Sequence, residues 1–285
     1  MSSVDFRRSR HRGMALAIVV WFIAGMSVLV AGIVSHVRMD TRMTQLHVAR
    51  AKVAAAGDGA MQLMMADVIN GRLSHQDGFM PREVYELGSL AVTVTLVPST
   101  GLVDINTASA GLLTSLFKLA GGLDVTQAKT VADNMVKWRS GVSAGSDRNK
   151  PRRFVALEDL LRIEGVNRSL LDSVRDYVVA GEPSRRGSTW SGAADAVLDI
   201  LRESYPQQAE SALRQRQRLM EAGNTSGSPA GSPVGSGIVR VDAIVRYGDQ
   251  SWLRRRWVSM SPETGSSLPW STRRTEAARV VDIQK

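Results

Sequence analysis

Side chains able to do chemistry are scarce in this sequence. Four histidines, His11, His36, His47 and His75, all lie in the first third of 285 residues, at no metal-ligand spacing. There is no cysteine, which excludes a disulfide framework, a thiolate metal site and a thiol nucleophile. Asp195 and Asp199 stand four apart on an expected helix. That is the spacing of a ligand pair and also of carboxylates on a solvated helix, and nothing nearby completes a site. No phosphate-cradling glycine loop and no Gly-x-Ser-x-Gly elbow occurs. Catalysis is therefore not expected. The net charge of +9 points either to acidic partners, such as phosphate, a membrane surface or an acidic protein face, or to a solvated basic surface.

One stretch invites chemistry done to the chain rather than by it: RRSRHRGMALAIVVWFIAGMSVLVAGIVSHVR, from Arg7 to Arg38. Arg7, Arg8, Arg10 and Arg12 precede a single glycine, Gly13, and then an uncharged run from Met14 to Val34. At about 1.5 Å per residue the run spans about 30 Å, the thickness of a bilayer core. A secretory signal has a shorter apolar core, roughly 7–15 residues, before a small-residue cleavage site. The arginines place the N-terminus in the cytoplasm and the bulk of the chain outside it. A scissile bond at the membrane surface is within reach of a membrane protease, while the rest stays inserted.

The elements that carry these residues follow from periodicity. From Val37 onward Met39, Met43, Leu46, Ala49, Val53, Ala56, Ala60 and Leu63 recur every three or four residues, on one helical face. No proline occurs before Pro81, and Asn70-Gly71 offers a stop. One helix from about Met14 to Ile69 is expected, weakened locally by Gly57 and Gly59. After a polar stretch, Leu90–Val97 alternates as a strand. Two more strands are expected at Ile238–Tyr247 and Trp252–Met260, turning through Gly248 to Ser251. Within the last, Leu253-Arg254-Arg255-Arg256-Trp257 reads as a strand with one wet and one buried face, so Trp252 and Trp257 fall on opposite faces and one is a candidate for exposure at an interface. The tail after Pro262 shows little periodicity.

Between the strands lies a helical insertion. "DINTASAGLLTSLFKLAGGLDVTQAKTVADNMVKWR" and "FVALEDLLRIEGVNRSLLDSVRDYVV" resemble a tandem helix-hairpin-helix array covering Asp104 to Val179. Thr107 is the expected cap of a helix through Leu116, and Val155–Ile163 forms the next short helix. Arrays of this kind commonly grip DNA, offering backbone N–H groups to phosphate from a glycine–apolar–glycine turn. Here the turns read Gly122-Leu123-Asp124 and Gly165-Val166-Asn167, each without its second glycine, and Asp124 would oppose a phosphate. Aromatic and basic residues do not interleave as on single-strand platforms. Nucleic acid is not the expected partner, and the module reads as packing scaffold. From Ser188, Ala193, Val197 and Leu201 match Ala108, Leu112 and Leu116, as a second degraded copy or as any short amphipathic helix would. A Gly/Ser/Pro tract from Gly223 to Gly237 links the insertion to the last strands.

A basic leader ending in glycine, a cut before a hydrophobic residue and a long half-buried helix resemble the type IV pilins and pseudopilins. The resemblance implies cleavage by a prepilin peptidase between Gly13 and Met14, with methylation of the new N-terminus. Most such subunits carry a glutamate at the fifth position after the cut; the residue here is Ile18. A carboxylate at that depth costs about 2.5–3.5 kcal/mol or more unless paired, so a subunit with no neighbour ahead of it does better without one. Together with the inserted helices, that loss resembles the K-type minor pseudopilin of type II secretion (the general secretion pathway protein K family).

The implied fold is α+β: a long N-terminal transmembrane/amphipathic helix packed on a small antiparallel pilin-like sheet, with a large all-α (helix-hairpin-helix/SAM-like) insertion. The implied division is a leader 1–13, a transmembrane part 14–37, amphipathic helix and first strands 38–103, inserted helical domain 104–222, linker 223–237, and C-terminal strands and tail 238–285. Helix packing through Met39, Met43, Leu46, Val53 and Leu63 would join it to I-, J- and H-type minor pseudopilins at the tip of a pseudopilus. The prepilin peptidase, the inner-membrane assembly platform and membrane lipid complete the implied partners. The implied location is the bacterial inner membrane, single-pass, with a short cytoplasmic N-terminus and a periplasmic bulk. No cofactor is expected. Calcium, possible in the family, would need an acidic run after Trp138; the run here is basic, and Asp147 alone supplies too few oxygens. The rival readings are a membrane-anchored helix-hairpin-helix DNA-binding protein and a membrane-tethered adaptor.

Overall fold

The computed structural model describes residues 10–73, 80–141, 152–181, 190–226, 237–263, 265 and 267–281, without the side chains of 10–13, 33–38, 40–42 and 222–226. The chain divides into two compact units, Met1–Val53 and Ala54–Lys285. Helix α1, Arg10–Ile69, contributes to both. In the first unit, Met14–Gly32 has a mean hydropathy of 2.5 and is exposed throughout, long and apolar enough to cross a membrane. Ser27, its one polar side chain, donates to the Ile23 carbonyl at 2.8 Å and so leaves no unpaired hydroxyl.

The second unit is α+β. Strands β1 (Arg82–Leu87), β2 (Leu90–Pro98), β5 (Ile238–Tyr247), β6 (Gln250–Ser259) and β7 (Ser271–Val281) form one sheet in the order β1-β2-β5-β6-β7, antiparallel throughout. Val92, Val94 and Leu96 of β2 pair with Val245, Ala243 and Val241 of β5, giving a buried apolar face. Residues 54–69 of α1 lie on that face with Ala56, Ala60, Met61, Met64 and Met65 buried. Gly57 is what allows the close approach: a Cβ there would sit 2.9 Å from the Cβ of Arg254 on β6. The glycine that weakens the isolated helix is thus the contact point of the folded one. Tyr85 of β1 donates to Asp67 of the same helix at 2.8 Å; burial first, and then that bond, raise its pKa above the ordinary phenol range.

The insertion leaves where β2 ends and returns where β5 begins. Pro98 and Val239 are register partners, so its two ends lie side by side and it occupies the place of a hairpin turn. A short parallel ladder, β3 (Val103–Asp104) with β4 (Val178–Val179), closes its first part. Between them stand α2 (Ala110–Leu119), α3 (Val125–Ser140), a 3₁₀ turn (Leu157–Arg162) and α4 (Arg168–Val174). After β4 follow α5 (Asp195–Ser204) and α6 (Pro206–Ser226). Leu113, Leu116 and Phe117 of α2, Met135 of α3, Phe154, and Leu198 and Leu201 of α5 share one core.

Four expectations need correction. Ser109, not Thr107, caps α2, accepting from Leu112 N at 3.2 Å, because Thr107 is still inside the turn that Asp104 closes. The expected helix Val155–Ile163 is only the 3₁₀ turn Leu157–Arg162. Helix α6 runs on to Ser226, past the start of the expected linker, and 227–236 lie outside the described residues. The tail contains a full strand, β7. It is hard to see in sequence because an edge strand keeps charges on both faces: Arg273, Arg274, Glu276 and Arg279 sit within it.

Candidate functional site

Two features stand out for function: the exposed part of α1, and a set of arginines that binds three layers into one body. Along α1, Met14, Ile18, Met39, Met43 and Leu46 are exposed, Leu63 is 44% exposed, and Val53 is buried. Gly13 lies within the helix. Ile18 stands in an unbroken apolar exposed surface that includes Trp21, Phe22 and Leu29. The predicted packing residues thus share one helix, with most of their apolar surface uncovered by this chain. Residues 1–9, with Arg7 and Arg8, lie outside the described residues, as do His75 and Asp147.

The arginine set was not visible in the sequence as a site. On β6 the three consecutive arginines alternate faces, and every one has a carboxylate partner. Arg254 and Arg256 point to the helix side, where Asp58 of α1 takes both: Arg254 Nε and Nη2 donate to its two oxygens at 2.8 and 3.0 Å, and Arg256 Nη2 lies 2.6 Å away. Arg255 points the other way and is 3% exposed. Its Nε and Nη2 donate to Asp242 at 2.6 and 3.0 Å, and Nη1 lies 2.7 Å from Asp176 of the insertion. Arg240, 5% exposed, donates to Asp242 at 3.0 Å and to the Asp176 carbonyl at 2.7 Å. Arg279 reaches Asp176, and Arg175 reaches Glu276.

Burial works against each charge, and the pairing decides the sign. For Arg240 burial outweighs Asp242 and lowers its pKa. For Arg255 the carboxylates of Asp242, Asp176 and Glu276 outweigh burial and raise it. For Asp176 burial is opposed by Arg255, Arg240 and Arg279, which together hold its carboxyl below the usual range. The expected wet face of the Leu253–Trp257 run is therefore absent. Arg255 is buried under the insertion, and Trp252 and Trp257 are both buried, since each face of β6 is covered by a different layer.

In the insertion the "INTA" residues are structural. Asn106 Nδ2 donates to the Phe154 carbonyl at 3.0 Å and its Oδ1 accepts from Phe154 N at 2.8 Å. Phe154 in turn stacks on Trp138, ring centres 4.3 Å apart. Arg139 of α3 donates to the carbonyls of Ile105 and Ala108, just before α2, at 3.0 and 2.8 Å. Arg216 of α6 does the same just before α5, donating to Ser191 and Ala193 carbonyls, with Asp195 at 2.8 Å. Each helix pair is closed by an arginine from its second helix onto the segment leading into its first. That shared device joins the partial match of Ala193, Val197 and Leu201 to the first copy.

Gly122 and Gly165 have positive φ, +69° and +91°, as hairpin turns require. The helix N-termini that follow are already occupied. Asp124 accepts from Thr126 N and Gln127 N at 2.8 and 2.9 Å, and Asn167 accepts from Leu170 N at 2.8 Å. The donors that a phosphate would use belong to these caps. Asp195 and Asp199 pair with Arg216 and Arg202. Among the described residues no three His, Asp or Glu gather as a metal site.

These features define a class of chain: α+β, with an N-terminal helix long and apolar enough to span a membrane, a five-stranded antiparallel sheet, and a helical module in a sheet connection. It is similar to a chain in the crystal structure of the GspK-GspI-GspJ complex from the enterotoxigenic Escherichia coli type 2 secretion system, with 11% identity, 85% of this chain and 99% of that chain covered, and a TM-score of 0.48. No protein-family model matches the sequence, and no curated protein matches it.

Proposed function

We propose that this chain is a minor pseudopilin of the K type in a bacterial type II secretion system, acting by assembly and not by catalysis. The observation that carries this reading is the state of α1: one uninterrupted helix from a span-length apolar run into an exposed row of Met39, Met43 and Leu46. A simple tether needs no such row beyond the membrane. Other minor pseudopilins of I, J and H types would cover it, and the bulk of the insertion would block addition above, placing the subunit at the tip. Before assembly the helix waits in the inner membrane, with the bulk of the chain in the periplasm. Prepilin peptidase would cut between Gly13 and Met14 and methylate Met14, and the assembly platform would draw the subunit into the fibre. Ile18 suits a subunit that meets no partner's terminal amine ahead of it. Intact-mass spectrometry of the membrane-extracted chain tests the processing step: a chain beginning at methylated Met14 is expected, and one beginning at Met1 would count against the proposal.

A further inference from the structure

The insertion has a core of its own. Among the described residues, the cluster built on Leu113, Phe117, Met135 and Leu198 draws its members from Val103 to Leu213 and none from the five-stranded sheet. Sheet and insertion share a smaller apolar cluster: Val97 of β2, Leu102, Val179 of β4 and Trp257 of β6. It sits beside the strand ends where Pro98 and Val239 are partners and the insertion departs. Farther along the strands the seam is ionic. Asp176 takes Arg255 of β6 at 2.7 Å and Arg279 of β7 at 3.2 Å, and Arg175 reaches Glu276 of β7 at 3.3 Å. Glu158 lies 3.8 Å from Arg274. Water reaches this seam from its rim, since the side chain of Asp176 is 45% exposed and that of Glu158 49%.

We infer that the insertion is a swinging module: the apolar cluster around Val97 and Trp257 is its pivot, and Asp176 with Arg175 forms an ionic latch that holds it against β6 and β7. Two properties keep the cost of release low. First, release strands no charge on the sheet. Arg240 and Arg255 both keep Asp242, at 3.0 and 2.6 Å, and Glu276 keeps the Trp257 indole N–H at 3.3 Å. Second, each latch bond is exchanged for bonds to water, so only its net strength opposes release. An apolar seam would behave otherwise, because opening it exposes surface that water does not reward. Parts of one chain that meet through a polar seam are free to move against each other, while a large apolar one fixes them. The latch lies wholly within the unit Ala54–Lys285 and does not depend on the assembly proposed above.

The sequence contains no cysteine, so introduced pairs carry spin labels at the chosen points alone. Gln127→Cys on α3 with Asp249→Cys in the β5–β6 turn reports across the seam. Gln127→Cys with Gln208→Cys on α6 reports within the insertion, and all three positions are exposed. Distances are read by pulsed electron resonance on the full chain in detergent. Asp176→Asn should add a second distance to the pair across the seam and leave the pair within the insertion unchanged. The ratio of swung to docked molecules should rise by at least about tenfold, the equivalent of one hydrogen bond to a charged group. Glu158→Gln with Arg175→Gln should act in the same direction to a smaller extent, and decides the matter if Asp176→Asn does not fold. A single unchanged distance across the seam in both variants would overturn the inference. So would a second distance within the insertion, since the module would then be melting and not turning.

Discussion

Asp242→Ala is expected to be the most damaging single change in the unit Ala54–Lys285. Its carboxylate is the shared acceptor of Arg240 and Arg255, both almost fully buried between the sheet and the insertion. Removing it leaves two guanidinium groups out of water, with Asp176 as the remaining hydrogen-bonded partner and Glu276 acting only through space, and breaking such a pair costs about 3–5 kcal/mol. In a unit of this size each kcal/mol moves the melting temperature by about 2–4 °C, so thermal unfolding should fall by about 10 °C. The physics predicts a second, less intuitive result. Replacing Arg240, Asp242 and Arg255 together with apolar side chains of similar volume should cost less than the single change, because no buried charge remains unpaired. A triple variant less stable than Asp242→Ala would mean that the cluster contributes through geometry beyond its charges.

Gly101→Val should come next. Gly101 ends the turn after β2, and a Cβ there would lie 2.5 Å from the Gly192 carbonyl oxygen and 2.8 Å from the Ala193 Cα. Both neighbours are backbone, in a segment whose Ser191 and Ala193 carbonyls accept from Arg216, so no side chain can swing aside. Overpacking of this kind costs about 1–3 kcal/mol, or more where nothing relaxes. The expected outcome is a melting temperature lowered by several degrees and faster proteolysis between β4 and α5. A variant as stable as the parent would show that the α5–α6 pair is not held against the end of β2.

These two sites show what the sequence discloses and what it withholds. The long helix was legible because its signals are local and repetitive: an uncharged run, then apolar residues every three or four positions, with no proline to Pro81. Strands β2, β5 and β6 were legible for the same reason. Strand β7 was not, because it is an edge whose charges, Arg273, Arg274, Glu276 and Arg279, fall on both faces and blur the alternation that identifies a strand. The arginine cluster was not legible because its partners are far apart in sequence. Arg254 meets Asp58, and Arg255 meets Asp176 and Asp242, only once the sheet is assembled between helix and insertion. In retrospect two local oddities mark it: Asp58 set between Gly57 and Gly59 on the apolar face of a helix, and three charges in succession on one strand. A strand covered on a single face would leave at least one of those charges in water. All three are paired and largely out of water, which shows cover on both faces. The Gly122 and Gly165 turns teach the converse lesson: the hairpin outline was readable, while the capping of α3 and α4 by Asp124 and Asn167 had to be seen before the phosphate-binding role lost its donors.

In the proposed function the exposed row of Met39, Met43 and Leu46 is covered by sibling subunits. Placing a photo-crosslinking amino acid at Met43 in the secreting cell, and identifying what it captures by mass spectrometry, tests this most directly. Capture of other minor pseudopilins, lost when secretion is not assembled, is the predicted result. Crosslinks to lipid alone, in cells where secretion is active, would contradict it and leave α1 as a mere anchor.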